Sequence, residues 1–312
     1  MTPTVSIIIP AYNGKGHLEA NLPSLLEATQ GRGGVEVIVV DDGSADGTPE
    51  FLAARFPQIT LVALGVNRGF AGACNAGVHS ARGEIVYFLN SDVRVLPGFL
   101  DPVLRGFRDP TVFAVGSREI PSQGEGTFTV AVPFFRFGLF GHRYLKTSRV
   151  PAHPIPVLFV SAGHAAFSRE KFLSLGGFDD LYRPFYWEDI DLCYRAWRRR
   201  WRVILEPESG VRHVGQGTIG RFYARRTIQS VYWKNRFLFA WKNLRDAAFV
   251  AEHLACLPLL LAGLSVLRGW AVLKGFTWAL GQLREALRKR RQETGGVTIS
   301  DRQILELFSD YP

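Results

Sequence analysis

The chain has 312 residues, of which 47% are hydrophobic and 21% charged, and its formal net charge is +9. This composition excludes a disordered chain, and the length allows one large α/β domain with an appendage or two modest domains. The three cysteines are widely spaced and form no Cys-x-x-Cys pair, which argues against a disulfide framework. With no signal-peptide pattern at the start, we expect a cytoplasmic protein.

The positive charge is concentrated in the second half of the chain. Residues 195–291 contain 20 Lys and Arg against 5 Asp and Glu, whereas the rest holds 17 basic and 23 acidic residues. A basic segment of that size predicts an anionic partner, such as phospholipid headgroups, a phosphorylated substrate or nucleic acid. No known nucleic-acid-binding motif accompanies the basic residues, so we predict no nucleic-acid partner.

Residues 5–90 alternate between strand and helix patterns. Four apolar strands are predicted, from "VSIIIPAYN", "VEVIVVDDGS", "ITLVAL" and "EIVYFL". Helices are predicted between them, and Thr48-Pro49 looks like a helix start, with Thr48 as the cap. Continuous apolar strands that alternate with helices predict a Rossmann-like α/β fold, with a mostly parallel central sheet covered by helices on both faces.

Polar side chains follow three of these strands. They are Tyr12-Asn13 after the first strand, Asp41-Asp42 after the second, and Asn90-Ser91-Asp92 after the fourth. Any one cluster is explained by a turn, because Asn, Ser and Asp bond the backbone where strands end. Ligands of open parallel sheets bind beyond the carboxyl ends of the strands, so three clusters together predict a binding site.

The middle of the chain is less regular. Residues 119–156 are rich in Pro, Gly and aromatic residues and are predicted to form a long irregular loop. A strand, a helix and a Gly-Gly-Phe-Asp turn then lead to a helix whose first turn holds Glu188, Asp189 and Asp191. Acids at a helix start are electrostatically favourable, so capping is one explanation for all three.

From residue 216 onward, cations and aromatic residues recur at roughly helical spacing. The run "LACLPLLLAGLSVL", residues 254–267, is uncharged but shorter than the about 20 residues of a membrane span. Two interpretations stay open: a helical lid on the catalytic domain, or an element lying on a membrane surface. In the second, Trp233, Phe237, Phe239 and Trp241 enter the interface. We therefore predict two domains, residues 1–215 and 216–312, and a capping box at Ser300 and Gln303.

Four segments in this order resemble family 2 glycosyltransferases of the GT-A fold, especially the bacterial rhamnosyltransferase-like branch. They are "VSIIIPAYNG", "VIVVDDGSADGT", "NRGFAGACNAGVHSARGEIVYFLNSDV" and "GGFDDLYRPFYWEDIDLCYRA", and the resemblance covers roughly residues 5–215. It implies sugar transfer, with inversion, from a dTDP- or UDP-linked donor to a hydroxyl of a glycan or lipid-linked acceptor. A divalent cation, Mn²⁺ or Mg²⁺, is the implied cofactor.

The resemblance also assigns roles to individual residues. The implied nucleotide-binding residues are Pro10, Ala11, Tyr12, Asn13, Asp42, Asn67, Arg68, Asn90 and Ser91. Asn90-Ser91-Asp92 occupies the place of the family's Asp-x-Asp metal motif, with Asn90 replacing the first acid. Asp92 is then the main metal ligand and His213 a second one. Asp189 matches the general base, with Glu188 and Asp191 as orienting or capping groups. Trp187, Gly163 and His164 fall near the sugar and acceptor pocket.

Three alternative functions compete with this one. A polyprenyl-phosphate glycosyltransferase fits the same motifs, and so does a pseudoenzyme that binds a sugar nucleotide without turnover, because Asn90 supplies no charge. A nucleotidyltransferase lacks support, since "PAYNGKGHLE" after the first strand is not a Gly-rich triphosphate loop. The basic C-terminal region favours an acceptor at the inner face of the cell membrane, with the protein bound peripherally to that anionic surface.

Overall fold

The structure is a computed structural model that describes residues 4–121, 128–147, 149–214, 220, 222–293, 295–296 and 298–311. All four strands predicted in residues 5–90 are present. They are β1 (Val5–Ala11), β2 (Val35–Asp41), β3 (Thr60–Ala63) and β4 (Ile85–Leu89), and the helices between them are α1 (Lys15–Thr29), α2 (Thr48–Arg55) and α3 (Gly69–Ser80). Thr48 is the first residue of α2 rather than its cap, because Gly47 holds the N-cap position.

Seven further strands follow in the described chain. They are β5 (Val93–Val95), β6 (Val112–Glu119), β7 (Phe128–Arg136), β8 (Leu139–Thr147), β9 (Ile155–Pro156), β10 (His164–Ser168) and β11 (Arg202–His213). The main sheet has the order β3-β2-β1-β4-β10-β6-β11-β5, with β9 beside β11. Strands β1 to β4 pair in parallel, as do β6 and β11, whereas β10 is antiparallel to both of its neighbours. The predicted α/β class with a mostly parallel sheet is confirmed.

The pairing brings polar residues from six strands to one edge of the sheet. Because β10 runs against β4, its first residue, His164, pairs with Leu89 at the last position of β4. Glu119 at the end of β6 pairs with Val211 near the end of β11. The carboxyl ends of β1, β2, β4, β6 and β11 therefore share this edge with the start of β10. This edge is where a ligand of the fold is expected.

Both faces of the sheet are buried, which explains why its strands are continuously apolar. Side chains alternate between faces along a strand. Ile7 and Ile9 accordingly pack in one cluster with α1, while Ile8 belongs to a second cluster with α3. The helices α4 (Leu100–Gly106) and α5 (Arg169–Ser174) connect the later strands.

The predicted irregular loop at 119–156 is wrong for most of its length. Strands β7 and β8 form a two-stranded antiparallel hairpin apart from the main sheet, with Arg136 paired to Leu139 across the turn. Phe140, close to its turn, stacks on Phe239 with ring centroids 4.9 Å apart. Pro133, Gly138 and Gly141 obscure the strand pattern in the sequence, although the side chains still alternate. Residues 122–127 and 148 of the predicted loop lie outside the described residues.

Helices cover the C-terminal third of the chain. After α6 (Glu188–Trp197) come α7 (Arg225–Asn243), α8 (Ala247–Arg268), α9 (Ala271–Gly281), α10 (Leu283–Gln292) and α11 (Asp301–Glu306), and α11 begins with the predicted capping box. Along the described chain, no helix is long and apolar enough to cross a membrane. The domain boundary at residue 215 lies at a segment outside the described residues and stays a prediction.

The aromatic face of α7 is buried, so the expectation that it enters a membrane interface is wrong. Phe237 and Phe239 are fully buried, and Trp233 is 9% exposed, all within the main core cluster. Trp241 is half-buried against the same cluster. Apolar side chains at helical spacing pack equally well on a protein core or in a lipid interface, and here the protein core takes them.

Asp191 joins α6 to α7 and is not a capping group. It is fully buried and accepts hydrogen bonds from Lys242 Nζ at 2.8 and 2.9 Å, from Arg195 Nε at 2.7 Å and from Asn243 Nδ2 at 2.7 Å. The Tyr182 hydroxyl also donates to it, at 2.7 Å. Burial alone would raise the pKa of Asp191, but the cations Lys242 and Arg195 keep that pKa below its usual value.

Candidate active site

A cavity of about 1280 Å³ opens at the polar edge of the sheet. Most of the residues predicted to form the site line it: Pro10, Ala11, Tyr12, Asp42, Asn67, Asn90, Ser91, Asp92, Gly163, Trp187, Glu188, Asp189 and His213. Segments distant in sequence are thus brought together: the residues that follow β1, β2 and β4 line the same cavity as the start of α6. Three predicted residues, Asn13, Arg68 and His164, are not among the described residues that line the cavity.

These three residues lie beside the cavity: His164 is buried, Asn13 is half-buried and Arg68 is exposed. Asn13 Oδ1 accepts the Ala45 N–H at 2.8 Å, which ties the end of β1 to the turn after β2. The Arg68 N–H donates to Asp42 Oδ1 at 2.6 Å. His164 is buried, with Nδ1 3.0 Å from the Ser117 carbonyl oxygen. Each of them contacts residues next to the cavity, and their predicted roles stay predictions.

Asp42 holds the loop that carries Asn67. Its two carboxylate oxygens accept the N–H groups of Arg68 at 2.6 Å and Gly69 at 2.9 Å. Burial raises the pKa of Asp42, and these two hydrogen bonds oppose that rise. Gly43 beside it has a φ of 78°, and a Cβ there would lie 3.0 Å from the Asn67 nitrogen. The Asp42-Gly43 turn therefore sets the distance between β2 and the loop.

The segment after β4 presents one free carboxylate to the cavity. Asn90 packs so closely on Gly163 that a Cβ at Gly163 would lie 2.6 Å from Asn90 Nδ2. Asp92 is 4% exposed, and its carbonyl oxygen accepts the Val214 N–H at 3.0 Å. No described side chain donates a hydrogen bond to the Asp92 carboxylate. A buried carboxylate at the cavity wall without a donor is a suitable ligand for a cation.

His213 is oriented by Glu119, a residue that the sequence interpretation missed. His213 Nδ1 lies 2.9 Å from Glu119 Oε1. This contact lies at ion-pair distance but does not meet hydrogen-bond geometry; it raises the pKa of His213, and burial opposes the rise. With Nδ1 used in this way, Nε2 is the nitrogen left to bind a metal, an arrangement common among metal-binding histidines. Glu119 ends β6, beside His213 at the end of β11, so only the sheet pairing brings the two together.

The charge of the cavity fits a divalent cation. Among the described lining residues there is no Lys or Arg, but there are four acids: Asp42, Asp92, Glu188 and Asp189. A diphosphate in such a cavity would be repelled unless a cation lay between. The described residues contain no group of three or more His, Cys, Asp and Glu able to hold a metal. Asp92 and His213 would supply two ligands to such a cation, which would need its other oxygen ligands from a bound substrate and water.

The turn before α6 is strained. Tyr186 and Trp187 have φ values of 70° and 78°, in the left-handed region that residues other than glycine seldom adopt. Such residues cost of order 1–3 kcal/mol each and persist only when the surroundings fix them. Asn235 of α7 does so, because its Nδ2 donates to the carbonyl oxygens of Tyr182, Phe185 and Tyr186 at 2.6, 2.9 and 2.8 Å.

This turn presents two carboxyl groups with unequal proton affinity. Burial raises the pKa of Asp189 to about 6, and hydrogen bonds from backbone N–H groups, including that of Ile190 at 2.8 Å, limit the rise. Burial raises the pKa of Glu188 to about 8, and the neighbouring Asp189 charge adds to the effect. Near neutral pH, Asp189 is therefore the ionised member of the pair and Glu188 keeps its proton.

Several aromatic residues of the cavity were not predicted. His142 and Tyr144 come from β8. Phe159 lies in the segment before β10, and Tyr232 belongs to α7. The signal for the first two was present in β8, where Phe140, His142 and Tyr144 occupy alternate positions and so share one face. The prediction of an irregular loop concealed it.

The fold is that of the GT-A glycosyltransferases. The crystal structure of GalNAc-T7 with UDP, GalNAc and Mn²⁺ matches with a TM-score of 0.70 at 16% identity, covering 100% of this chain and 58% of that one. Staphylococcus aureus TarS with UDP-GlcNAc matches with a TM-score of 0.56 at 18% identity, covering 98% and 91%. The predicted fold is confirmed, including the C-terminal helices that follow the sheet.

Sequence comparison gives the family. Residues 6–176, more than half of the chain, match Glycosyl transferase family 2, and the chain belongs to that family. It is 29% identical over 248 residues to the N-acetylglucosaminyl-diphospho-decaprenol L-rhamnosyltransferase of Mycobacterium tuberculosis, covering 71% of this chain and 79% of that protein. It is 44% identical over 234 residues to the succinoglycan biosynthesis protein ExoO of Rhizobium meliloti, covering 70% and 63%. The predicted glycosyltransferase class is confirmed.

Proposed function

We propose that this chain is an inverting glycosyltransferase that moves a sugar from a dTDP- or UDP-linked donor to a hydroxyl of a glycan or lipid-linked acceptor. One observation supports this most strongly: the paired carboxyl groups of Glu188 and Asp189 at the start of α6 line the same cavity as the strand-end residues Asp42 and Asp92. A pseudoenzyme would have no need for a strained turn that presents a carboxylate of raised basicity. The remaining steps follow from what each residue does.

Asp189 acts as the general base in this proposal. The acceptor oxygen attacks the anomeric carbon, the bond from that carbon to the diphosphate oxygen breaks, and the hydroxyl proton passes to Asp189. The nucleoside diphosphate leaves with the electron pair of the broken bond. A base whose pKa lies near the working pH is well suited to such a proton transfer. Glu188, when protonated, carries no charge and so does not repel the departing diphosphate.

Asp92 and His213 would hold the divalent cation, with Glu119 beside the histidine ring. When bound, the cation neutralises the charge that develops on the diphosphate. Pro10, Ala11, Tyr12, Asp42, Asn67, Asn90 and Ser91 form the nucleotide end of the cavity. GalNAc-T7, a structural relative solved with UDP, GalNAc and Mn²⁺, supports this proposal.

We expect metal and nucleotide to bind together, because neither Asp92 nor His213 can hold a cation tightly alone. In calorimetry, Mn²⁺ should bind weakly to the free protein and much more tightly when UDP or dTDP is present. Asp92→Ala should remove this cooperativity and the thermal stabilisation by nucleotide that depends on Mn²⁺. A panel of sugar nucleotides tested in the same way identifies the donor.

Asp46→Ala is the control for this experiment, since Asp46 caps the turn before α2 through Thr48 and does not line the cavity. It should keep the cooperativity between metal and nucleotide. Tight Mn²⁺ binding to the free protein that survives Asp92→Ala would place the metal elsewhere.

A membrane-bound acceptor is supported by the surface of α8 to α10. Leu259 and Trp270 are 77% and 83% exposed, and Leu254, Leu280 and Leu287 are also exposed. The cations Arg284 and Arg291 of α10 are exposed too, and Arg288 is exposed but pairs with Glu285. Lys289 and Arg290 are not free for a membrane, because Lys289 pairs with Asp179 and Arg290 donates to the Trp241 carbonyl oxygen. The relative from M. tuberculosis is named for a decaprenol-linked acceptor, which also supports this proposal.

The purified protein should therefore co-sediment with phosphatidylglycerol-containing vesicles at low salt and be partly released at high salt. Leu259→Ser combined with Trp270→Ser should weaken the binding, because both side chains lose apolar area that would enter the interface. Leu307→Ser, at an exposed leucine beyond α10, should bind as the unaltered protein does. Equal vesicle binding by all three proteins would show that this surface does not contact the membrane.

A further inference from the structure

The cavity has an aromatic wall beside Asp189, formed by His142, Tyr144, Phe159, Trp187 and Tyr232. It is built by β8, which enters the core at Phe140 and then carries His142 and Tyr144 outward on the same face. Phe140 is anchored by its stack on Phe239 and by Arg236 Nε, which donates to its carbonyl oxygen at 2.8 Å. The part of β8 that lines the cavity is therefore fixed to the core through Phe140, which precedes it in the strand.

The rings of the aromatic wall contact one another. His142 lies edge-on to Tyr144 at 5.2 Å, to Phe159 at 5.0 Å and to Trp187 at 6.1 Å between ring centroids. Trp187 and Tyr232 are 5.7 Å apart. Burial is the larger cause of a raised pKa for Tyr144, although 56% of the residue is exposed, and the nearby Asp189 carboxylate adds to the effect. The aromatic wall thus extends to the group that accepts the proton.

Polar atoms of the aromatic wall lack protein partners. His142 Nδ1 and Trp187 Nε1 are buried and have no hydrogen-bond partner among the described residues. Buried polar groups in proteins are nearly always paired, so two such atoms in adjacent rings indicate a place where another molecule completes the bonding. Burial lowers the pKa of His142 to about 4, and nearby Arg236 adds to the effect, so this ring is neutral at pH 7.

The chemistry of the aromatic wall selects against anions. None of the described residues lining the cavity is Lys or Arg, and Asp189 adds a negative charge where the acceptor must approach. A phosphate at this position would be repelled by that charge and would find no Lys or Arg among the described lining residues to pair with. A neutral ring with apolar C–H faces and hydroxyl groups suits aromatic side chains that offer a few polar atoms.

We propose that the aromatic wall is the acceptor subsite and that it binds a neutral pyranose ring of the acceptor. The attacking group is then a saccharide hydroxyl, with any phosphate of a lipid carrier lying further out. This inference rests on the proposed glycosyltransferase function and deepens it, because it argues against a polyprenyl phosphate as the direct acceptor. Tyr144, which is 56% exposed, covers the outer part of the ring, while Trp187 lies at the inner end.

Ligand-observed NMR on the protein loaded with UDP and Mn²⁺ tests the proposal. The probes are methyl β-glucopyranoside, methyl β-galactopyranoside, methyl N-acetyl-β-glucosaminide and citronellyl phosphate. At least one pyranoside should receive saturation from the protein at its ring C–H protons, and citronellyl phosphate should bind more weakly. Tyr144→Ala should weaken pyranoside binding by up to about tenfold. His142→Phe, which keeps a ring but removes both nitrogens, should also weaken it.

Phe137→Ala is the matched control, because Phe137 is an equally exposed aromatic residue in the turn of the same hairpin and does not line the cavity. It should bind pyranosides as the unaltered protein does. Equal binding by Tyr144→Ala and Phe137→Ala, no pyranoside binding, or tighter binding of citronellyl phosphate would each overturn the proposal. If these results came with normal stabilisation by nucleotide and Mn²⁺, only the acceptor subsite would be wrong. Loss of nucleotide binding in the unaltered protein would instead contradict the glycosyltransferase function.

Discussion

Asp189→Asn is expected to reduce turnover by about 10²-fold or more and to leave donor binding intact. The amide is nearly the same size as the carboxylate, so the turn before α6 should keep its shape, but the amide does not accept the acceptor's proton. Turnover is measured as nucleoside diphosphate released in the presence of acceptor, and donor binding by calorimetry with Mn²⁺. Asp189 lines the cavity and does not contribute to the Asp191 cluster, so the variant should fold normally.

Glu188→Gln is the matched control for the base. Glu188 is buried beside Asp189, and because its raised pKa of about 8 keeps it protonated near neutral pH, an amide should resemble it well. Its loss of turnover should be much smaller. Since Asp189 must be ionised to act, activity should be present above its pKa of about 6 and be lost as the pH falls through that value. A larger loss in Glu188→Gln than in Asp189→Asn would exchange the two roles.

Asp191→Ala is expected to destabilise the fold by about 3–5 kcal/mol, because it removes the buried carboxylate that Lys242 and Arg195 share. Lys242 would keep only Asp179, which lies 2.7 Å away, and Arg195 would lose the carboxylate at 2.7 Å. The hydroxyl of Tyr182 and the amide of Asn243 would lose their acceptor as well. The measurement is the free energy of unfolding in urea at neutral pH.

Glu285→Ala provides the comparison for this second prediction. Glu285 pairs with Arg288 on the surface of α10, where both side chains are exposed. Exposed ion pairs contribute about 0–1 kcal/mol, so the loss of unfolding free energy should be correspondingly small. If Asp191→Ala cost no more than Glu285→Ala, the buried cluster would not hold α6 and α7 together.

The sheet could be predicted from the sequence because its signals are local. Strands buried on both faces must be apolar at every position, and helices between them keep one apolar side, so β1 to β4 were found. The hairpin was not predicted, since Pro133, Gly138 and Gly141 interrupt its pattern. Its two strands also pair only with each other, apart from the main sheet. The aromatic residues of α7 were misplaced for another reason. Their spacing shows that one face is apolar, but not whether lipid or protein covers it.

The candidate site was predictable where a motif carries it. The segments ending β1, β2 and β4, and the pair at the start of α6, are recognisable in order and all reach one cavity. Glu119, His142, Tyr144 and Asn235 belong to no such motif. Glu119 meets His213 only through the pairing of β6 with β11, and Asn235 meets the turn at residues 182–186 from a helix about fifty residues further on. Contacts of that kind follow from the assembled fold and leave no local trace.

Because Asn235 holds the strained turn before α6, this turn depends on a residue that is translated later than the turn itself. Tyr186 and Trp187 take up left-handed backbone conformations that three hydrogen bonds from this one amide hold in place. Asn235 is translated after the segment that matches the family, residues 6–176. It is also translated after the last strand of the sheet, β11. The sheet and the nucleotide end of the cavity have all their residues early in translation, whereas the carboxyl pair receives its support only once α7 has emerged.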